Sequence, residues 1–252
     1  MKFLNMCKAI TLTVLLSLGA APAFAQSGSL TTIFAHNNAF AGNTFDLTPT
    51  SNMTIDGFDV NVGTFGTTGG GAGSTATIAI YWRNGTSNGF QDNSAGWTLL
   101  GTASVVSQGA NIATHVPIGG LSVTAGQTYG IYVDLQNRGG GLDMLYTNGG
   151  PTGYSNADLA LTTFYGKGSP AFTGSTFTYR QWNGKVYYSK TQTCASEGYT
   201  GTKLTWCKNI CEMGYTGATL DIWIHRWVNR YRDLPYCAQQ GGGEEEPPPQ
   251  EG

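Results

Sequence analysis

A break in composition at Thr193 limits what this chain can fold into more than any other feature. All six glutamates lie beyond it, together with Cys194, Cys207, Cys211 and Cys237. Residues 26–193 contain neither residue type and are rich in Gly, Thr and Asn. The first body can use no disulfide and must be held by an apolar core between strands. The second is too short for a full core and carries covalent staples instead. The sequence therefore reads as a large neutral β-type domain followed by a small cysteine-stapled helical module.

The boundaries follow. Residues 1–25 have the form of an export signal: Lys2 and Lys8, an apolar run over 10–18, then Ala23-Phe24-Ala25, with cleavage expected after Ala25. The apolar run is far short of the roughly 20 residues needed to span a bilayer, and no later segment is apolar enough to span one. A secreted product, extracellular or periplasmic, is expected. Residues 26–190 form the β domain, 191–238 the cysteine-rich module, and 239–252 a Gly/Glu/Pro tail expected to be disordered. Charged residues are 11% of the chain and the net charge is -2, so no basic field exists to hold nucleic acid. An even cysteine count in an oxidising compartment favours disulfides; zinc on four thiolates is the alternative, without the usual C-x-x-C spacing.

Period-2 patterning runs through the first domain. Ile78, Ile80 and Trp82 alternate with Thr77, Ala79 and Tyr81; Tyr129, Ile131, Val133 and Leu135 form a second stripe; Leu142, Met144 and Tyr146 a third. Met53 and Ile55 are followed, one position out of phase, by Phe58, Val60 and Val62, which predicts a β-bulge at Gly57. Gly- and Asn-rich turns separate the runs, and Asn183-Gly184 predicts a tight hairpin between 179–182 and 185–188. The fold class expected is mainly β: an antiparallel, jelly-roll-like sandwich with a small C-terminal disulfide-stapled α-hairpin.

The segments AFAGNTFDL (39–47), MTIDGFDVNVG (53–63), GWTLLG (96–101), LSVTAGQTYGIYV (121–133), YSNADLAL (154–161) and YRQWNGKVYY (179–188) resemble β-sandwich modules of secreted bacterial surface proteins. The resemblance covers about residues 30–188. It implies the sandwich and the export, and transfers no catalytic or binding residue.

The residue types argue against catalysis. The β domain has seven aspartates, no glutamate, and two histidines, His36 and His115. Glycoside hydrolysis needs two carboxyls flanking one bond. Asp56 and Asp59 face opposite ways on a regular strand, unless the bulge corrects the phase. His115 reads as a hydrogen-bonded structural histidine. Asp46, Asp134, Asp143 and Asp158 offer oxygens for a structural calcium ion, without the dense spacing of a calcium loop. The sharper candidate is a sugar surface. Aromatic faces flanked by Asn and Arg suit carbohydrate, and the polar loop 83–96 holds Phe90. Phe90, Arg180, Trp182 and Asn183 are the candidate ligand-binding residues, whereas Trp82, Trp97 and Tyr129 read as core.

In the module, Gly198-Tyr199-Thr200-Gly201 recurs as Gly214-Tyr215-Thr216-Gly217. Each threonine is placed to cap a helix, predicting helices over 201–213 and 217–232. Leu204, Cys207 and Cys211 form one inward stripe; Leu220, Trp223, Ile224, Trp227 and Tyr231 form the other. Cys207 and Cys211 share a face and each must reach Cys194 or Cys237. The hairpin's return favours Cys207–Cys237 with Cys194–Cys211. The outer face of the second helix carries His225, Arg226 and Arg230, a candidate docking patch. The expectation is a secreted, non-enzymatic bacterial protein that binds an extracellular glycan or surface protein. A structural part of a cell-surface or virion-like assembly is the alternative.

Overall fold

The computed structural model describes residues 25–139 and 141–239. The expected export signal, all but Ala25, and the tail from residue 240 lie outside them. The chain divides into two compact units, with the boundary between Thr191 and Gln192.

The first unit is two packed antiparallel sheets. Its strands are β1 (Ala25–Thr31), β2 (Asn38–Phe40), β3 (Gly42–Pro49), β4 (Met53–Gly63), β5 (Thr75–Asn84), β6 (Thr98–Val106), β7 (Ala113–Val116) and β8 (Leu121–Val123). They continue as β9 (Tyr129–Leu135), β10 (Asp143–Asn148), β11 (Thr152–Ser155), β12 (Leu159–Lys167), β13 (Thr176–Thr178), β14 (Arg180–Trp182) and β15 (Gly184–Thr191). One sheet runs β1-β15-β4-β10-β14, with β2 on β10 and both β7 and β8 on β4. The other runs β11-β12-β3-β9-β5-β6, with β13 on β12.

Alternation dictates which side chains meet between the sheets. Phe45 and Leu47 of β3, Ile78 and Ile80 of β5, and Ile131, Val133 and Leu135 of β9 point inward from one sheet. Ile55, Phe58, Val60 and Val62 of β4, with Met144, Val186 and Tyr188, meet them from the other. The phase slip in β4 is a bulge: Tyr187 pairs with Gly57 and Tyr188 with Ile55, leaving Asp56 as the extra residue. One inserted residue keeps both apolar halves of this long strand on the core face.

Two expectations fail at the end of the domain. Asn183-Gly184 is not a hairpin turn, because β14 bonds to β10 while β15 bonds to β1 and β4. The bend between them is held by Thr32, whose Oγ1 donates to the Trp182 carbonyl (2.7 Å) and accepts from the Gly184 N–H (2.9 Å). Glycine is needed at 184 because a Cβ would lie 2.1 Å from the Trp182 ring. Trp182 itself is 0% exposed and stacks on Phe45 at 4.2 Å. A large ring beside an open apolar space is worth more inside than out, so it fills the core instead of facing a ligand. Trp82 and Tyr129 join the core as expected. Trp97 packs outside it, against Tyr132 and Phe172.

The second unit holds α1 (Gly201–Cys211), α2 (Gly217–Tyr231) and the short α3 (Tyr236–Gln239). Both inward stripes meet as predicted, around buried Cys194, Cys207, Ile210, Trp227 and Tyr236. Thr200 and Thr216 occupy the cap positions, but neither hydroxyl makes the capping bond. The next residue in each case, Gly201 or Gly217, is left-handed at φ 54° or 55°, which turns the first amides away from the threonine.

The disulfides are Cys194–Cys207 and Cys211–Cys237, not the pairing favoured from the hairpin's return. After α2, Asp233 sits by Lys203 near the start of α1 (3.3 Å). The chain then runs back along α1, and by Cys237 it has advanced about one helical turn past Cys207. Cys211 is what it meets. A non-reducing peptide map should contain these two linked pairs; a Cys207–Cys237 peptide would refute this path. In the first unit, Trp182→Ala should cost about 3–5 kcal/mol in urea unfolding, whereas exposed Tyr179→Ala should cost under about 1 kcal/mol.

Candidate functional site

The outer face of the β11-to-β6 sheet carries side chains unlike a plain solvated surface. Thr44 and Asp46 of β3, Tyr132 and Asp134 of β9, Tyr81 of β5, and Tyr165 and Lys167 of β12 all point there by register. Loop 84–97 and the 168–175 segment cover them, so Thr44, Asp46, Tyr132, Asp134 and Lys167 are buried.

The loop is fixed at several points. The Ser87 N–H donates to Asp46 Oδ1 (2.7 Å) and the Tyr165 hydroxyl to Asn88 Oδ1 (2.8 Å). Trp97 Nε1 donates to the Phe90 carbonyl (3.0 Å). Lys167 Nζ, fully enclosed, donates to Asp92 Oδ1 (2.5 Å), the Gly174 carbonyl (2.9 Å) and Thr176 Oγ1 (2.7 Å). Thr176 Oγ1 also donates to Asp92. All three ammonium protons are thus satisfied, which a buried lysine requires. For Asp92, partial burial pushes the carboxyl up, but the Lys167 and Thr176 bonds outweigh it and hold it below the usual range. For Asp134, burial dominates and raises the carboxyl to about 6, against the lowering effects of the Tyr132 hydrogen bond and the Lys167 charge. Burial, helped by the Asp134 charge, also pushes the Tyr132 hydroxyl well up.

Beside this anchored loop lies a row of rings. Tyr165 and Tyr179 have centroids 6.0 Å apart and planes 29° apart; Phe164 and Tyr165 are 6.2 Å and 29°. Tyr179 is 43% exposed, and Phe164 and Tyr165 are half-buried. Asn88, bonded to Tyr165, comes from the same loop as Phe90. Phe90 is exposed, with the Arg83 guanidinium 3.4 Å from its ring centroid.

Of the predicted ligand residues, Phe90 is therefore the one placed at the surface. Trp182 is in the core. Asn183 is buried, with its amide nitrogen donating to Thr147 Oγ1 (3.0 Å) and the Gln181 carbonyl (3.2 Å), and its oxygen accepting from the His36 N–H (3.3 Å). Arg180 is half-buried, with Nη1 donating to the Thr178 and Tyr179 carbonyls. Neither residue presents a free face. The outward ring of that segment is Tyr179, because the alternation runs opposite to the one a ligand-facing Trp182 needs.

The aspartates proposed for calcium do not converge. Asp46 takes the Ser87 amide, Asp134 the Tyr132 hydroxyl, Asp143 the Arg138 Nε (2.7 Å) and Asp158 the Lys190 Nζ (2.6 Å). Among the described residues, the one group of three possible metal ligands is Cys194, Cys207 and Cys211, and those are engaged in disulfides.

On the other sheet the bulge brings Asp56 and Asp59 to one face. Asp56 accepts from Ser189 (3.1 Å); buried Asp59 accepts from the Tyr187 hydroxyl (2.7 Å) and lies 3.0 Å from His115 Nδ1. Among the described residues no hydroxyl or thiol hydrogen-bonds to His115, so this pair lacks an attached nucleophile. In the module, His225, Arg226 and Arg230 are exposed. Arg226 lies 4.9 Å from the Trp223 ring and Arg230 5.7 Å from that of Trp206, so both cover the module's own aromatics. No helix of the described residues is long and apolar enough to cross a membrane.

No family model matches the sequence, and no curated protein matches it. Among solved structures, a chain of the T13 IBDV viral particle aligns at 10% identity and TM-score 0.21. The alignment covers 88% of this chain and 56% of that one.

Two outcomes test the site's electrostatics. Asp134 binds its proton more tightly folded than unfolded, so its contribution to stability should fall as pH rises from about 4 to about 6 and be level above. Asp134→Asn should remove that fall in urea unfolding measured across the window. Lys167→Met should leave the strands folded but speed proteolytic cleavage within 84–97; unchanged cleavage would mean Lys167 does not anchor the loop.

Proposed function

We propose that this is a secreted bacterial protein that binds an extracellular glycan through its β-sandwich, without catalysis, and that its cysteine-rich module docks to a surface partner. The row of partly exposed rings at Tyr179, Tyr165 and Phe164, each tilted 29° from the next, beside the anchored Asn88–Phe90 loop, carries the reading. Sugars present apolar C–H faces edged by hydroxyls, so flat rings flanked by amide groups match both halves of that surface. The loop's anchors make the platform rigid before binding, which limits the entropy lost on association. Disulfides agree with a location outside the reducing cytosol.

The test is a broad glycan array with purified protein, with and without calcium. Hits should weaken at least about tenfold, about 1.4 kcal/mol, in Tyr179→Ala and Phe90→Ala, with unfolding midpoints little changed. A blank array would overturn the reading.

A second reading, assembly into a surface or particle lattice, has one observation in its favour. Strand β6 is a sheet edge, paired among the described residues with β5, and it exposes Leu99 and Val106 at 52% and 54%. Long apolar edges invite pairing with another chain. If this edge self-associates, sedimentation should detect concentration-dependent oligomers that Leu99→Lys with Val106→Lys abolishes.

A further inference from the structure

The four cysteines do more than close two loops. The Sγ atoms of Cys194, Cys207 and Cys211 all lie within 4.8 Å of one another, so the sulfur of one disulfide sits against the other. The two bonds differ in access. Cys194 and Cys207 are 0% exposed, whereas Cys211 and Cys237 are half-buried. Cys194 is also clamped in place: its N–H donates to the carboxylate Oε1 of Glu212 (2.7 Å), the residue next to Cys211.

We propose that this cluster is a disulfide-exchange site, in which reduction of Cys211–Cys237 by an external dithiol frees Cys211 to displace Cys207 from Cys194. In the first step one thiolate of the dithiol attacks the accessible disulfide. Its second thiol resolves the mixed disulfide, so two electrons pass to Cys211 and Cys237 and the dithiol leaves oxidised. In the second step the Cys211 thiolate attacks Cys194 Sγ. The Cys194–Cys207 bond breaks, Cys194–Cys211 forms, and Cys207 leaves as a thiolate that takes up a proton. No further electrons are needed.

Geometry selects Cys194 as the sulfur attacked. Cys207 and Cys211 stand four apart on α1, where Cβ atoms are about 5–6 Å apart, and a disulfide needs about 3.5–4.5 Å. A bond between them requires α1 to unwind; one from Cys211 to Cys194, which precedes the helix, does not. The outcome moves the free thiols from Cys211 and Cys237 to Cys207 and Cys237. Cys211 is then occupied, Cys237 cannot reclose on it, and the short α3 loses its tether. The module would thereby convert an encounter with a reductant at its surface into a rearranged core and one accessible thiol, Cys237.

The experiment uses the full chain with one equivalent of dithiothreitol at pH 8, trapped with iodoacetamide at intervals and mapped by non-reducing mass spectrometry. The earliest label should fall on Cys211 and Cys237; a Cys194–Cys211 peptide should then grow, with label moving to Cys207. The rate constant of the second step, from free Cys211 to the Cys194–Cys211 bond, should not depend on protein concentration. First label on Cys194 and Cys207, or a Cys194–Cys207 bond that persists unchanged while Cys211 stays labelled, would overturn the proposal. Cys237→Ser gives an independent measurement, because it leaves Cys211 as a lone thiol without added reductant. Label divided between Cys211 and Cys207, with Cys194–Cys211 present, is the expected result. Label on Cys211 alone refutes it.

Discussion

The burial of Trp182 against Phe45 is the contact on which the arrangement of the first unit turns. The ring comes from a three-residue strand that makes few backbone bonds of its own, and its fully enclosed position ties that strand to the core. Three local features follow from it. Gly184 must lack a side chain because the indole occupies that space. Thr32 must hold the bend that carries the chain past the ring. Tyr179, three residues earlier, is left at the surface, where it extends the row begun by Phe164 and Tyr165. The core contact and the candidate binding surface are thus opposite sides of one short segment.

The outer face of the β11-to-β6 sheet is built on the reverse principle, with polar groups enclosed: Lys167 has every proton bonded, whereas the Thr44 and Ser87 hydroxyls make no hydrogen bond. A buried ammonium with three acceptors and a buried carboxyl with a raised proton affinity both cost free energy against an apolar filling of the same space. What they supply is position. Lys167 fixes Asp92, Asp46 fixes Ser87, and Tyr165 fixes Asn88, so a long Gly- and Asn-rich loop stands in one conformation. A polar surface loop held at that many points suits recognition, for which an unanchored loop would lose entropy on every encounter.

The cysteine-rich module uses covalent bonds where the first unit uses area. Its core is a handful of rings and two disulfides. Packing two disulfides against each other in so small a space also places a sulfur of one beside the bond of the other. A staple and an exchange site are here the same arrangement of atoms, separated only by whether a reductant reaches Cys211–Cys237.

The sequence determined what depends on short-range periodicity. Alternation placed the strands and the apolar faces, the slip from Ile55 to Phe58 located the bulge at Asp56 and Gly57, and the repeated Gly-Tyr-Thr-Gly located two helix starts. These are signals in which neighbouring residues report directly on one face or one turn. Tertiary structure decided everything that required knowing what lies across the core. Asn183-Gly184 has the composition of a hairpin turn, but a packed indole overrode that local preference. Four cysteines allow three pairings, and only the return of the chain beside α1 selected one. Trp182 and Tyr179 are both aromatic residues on one short segment. The packing partner opposite, Phe45, settles which of them is core and which is surface, and no pattern within residues 179–182 contains it.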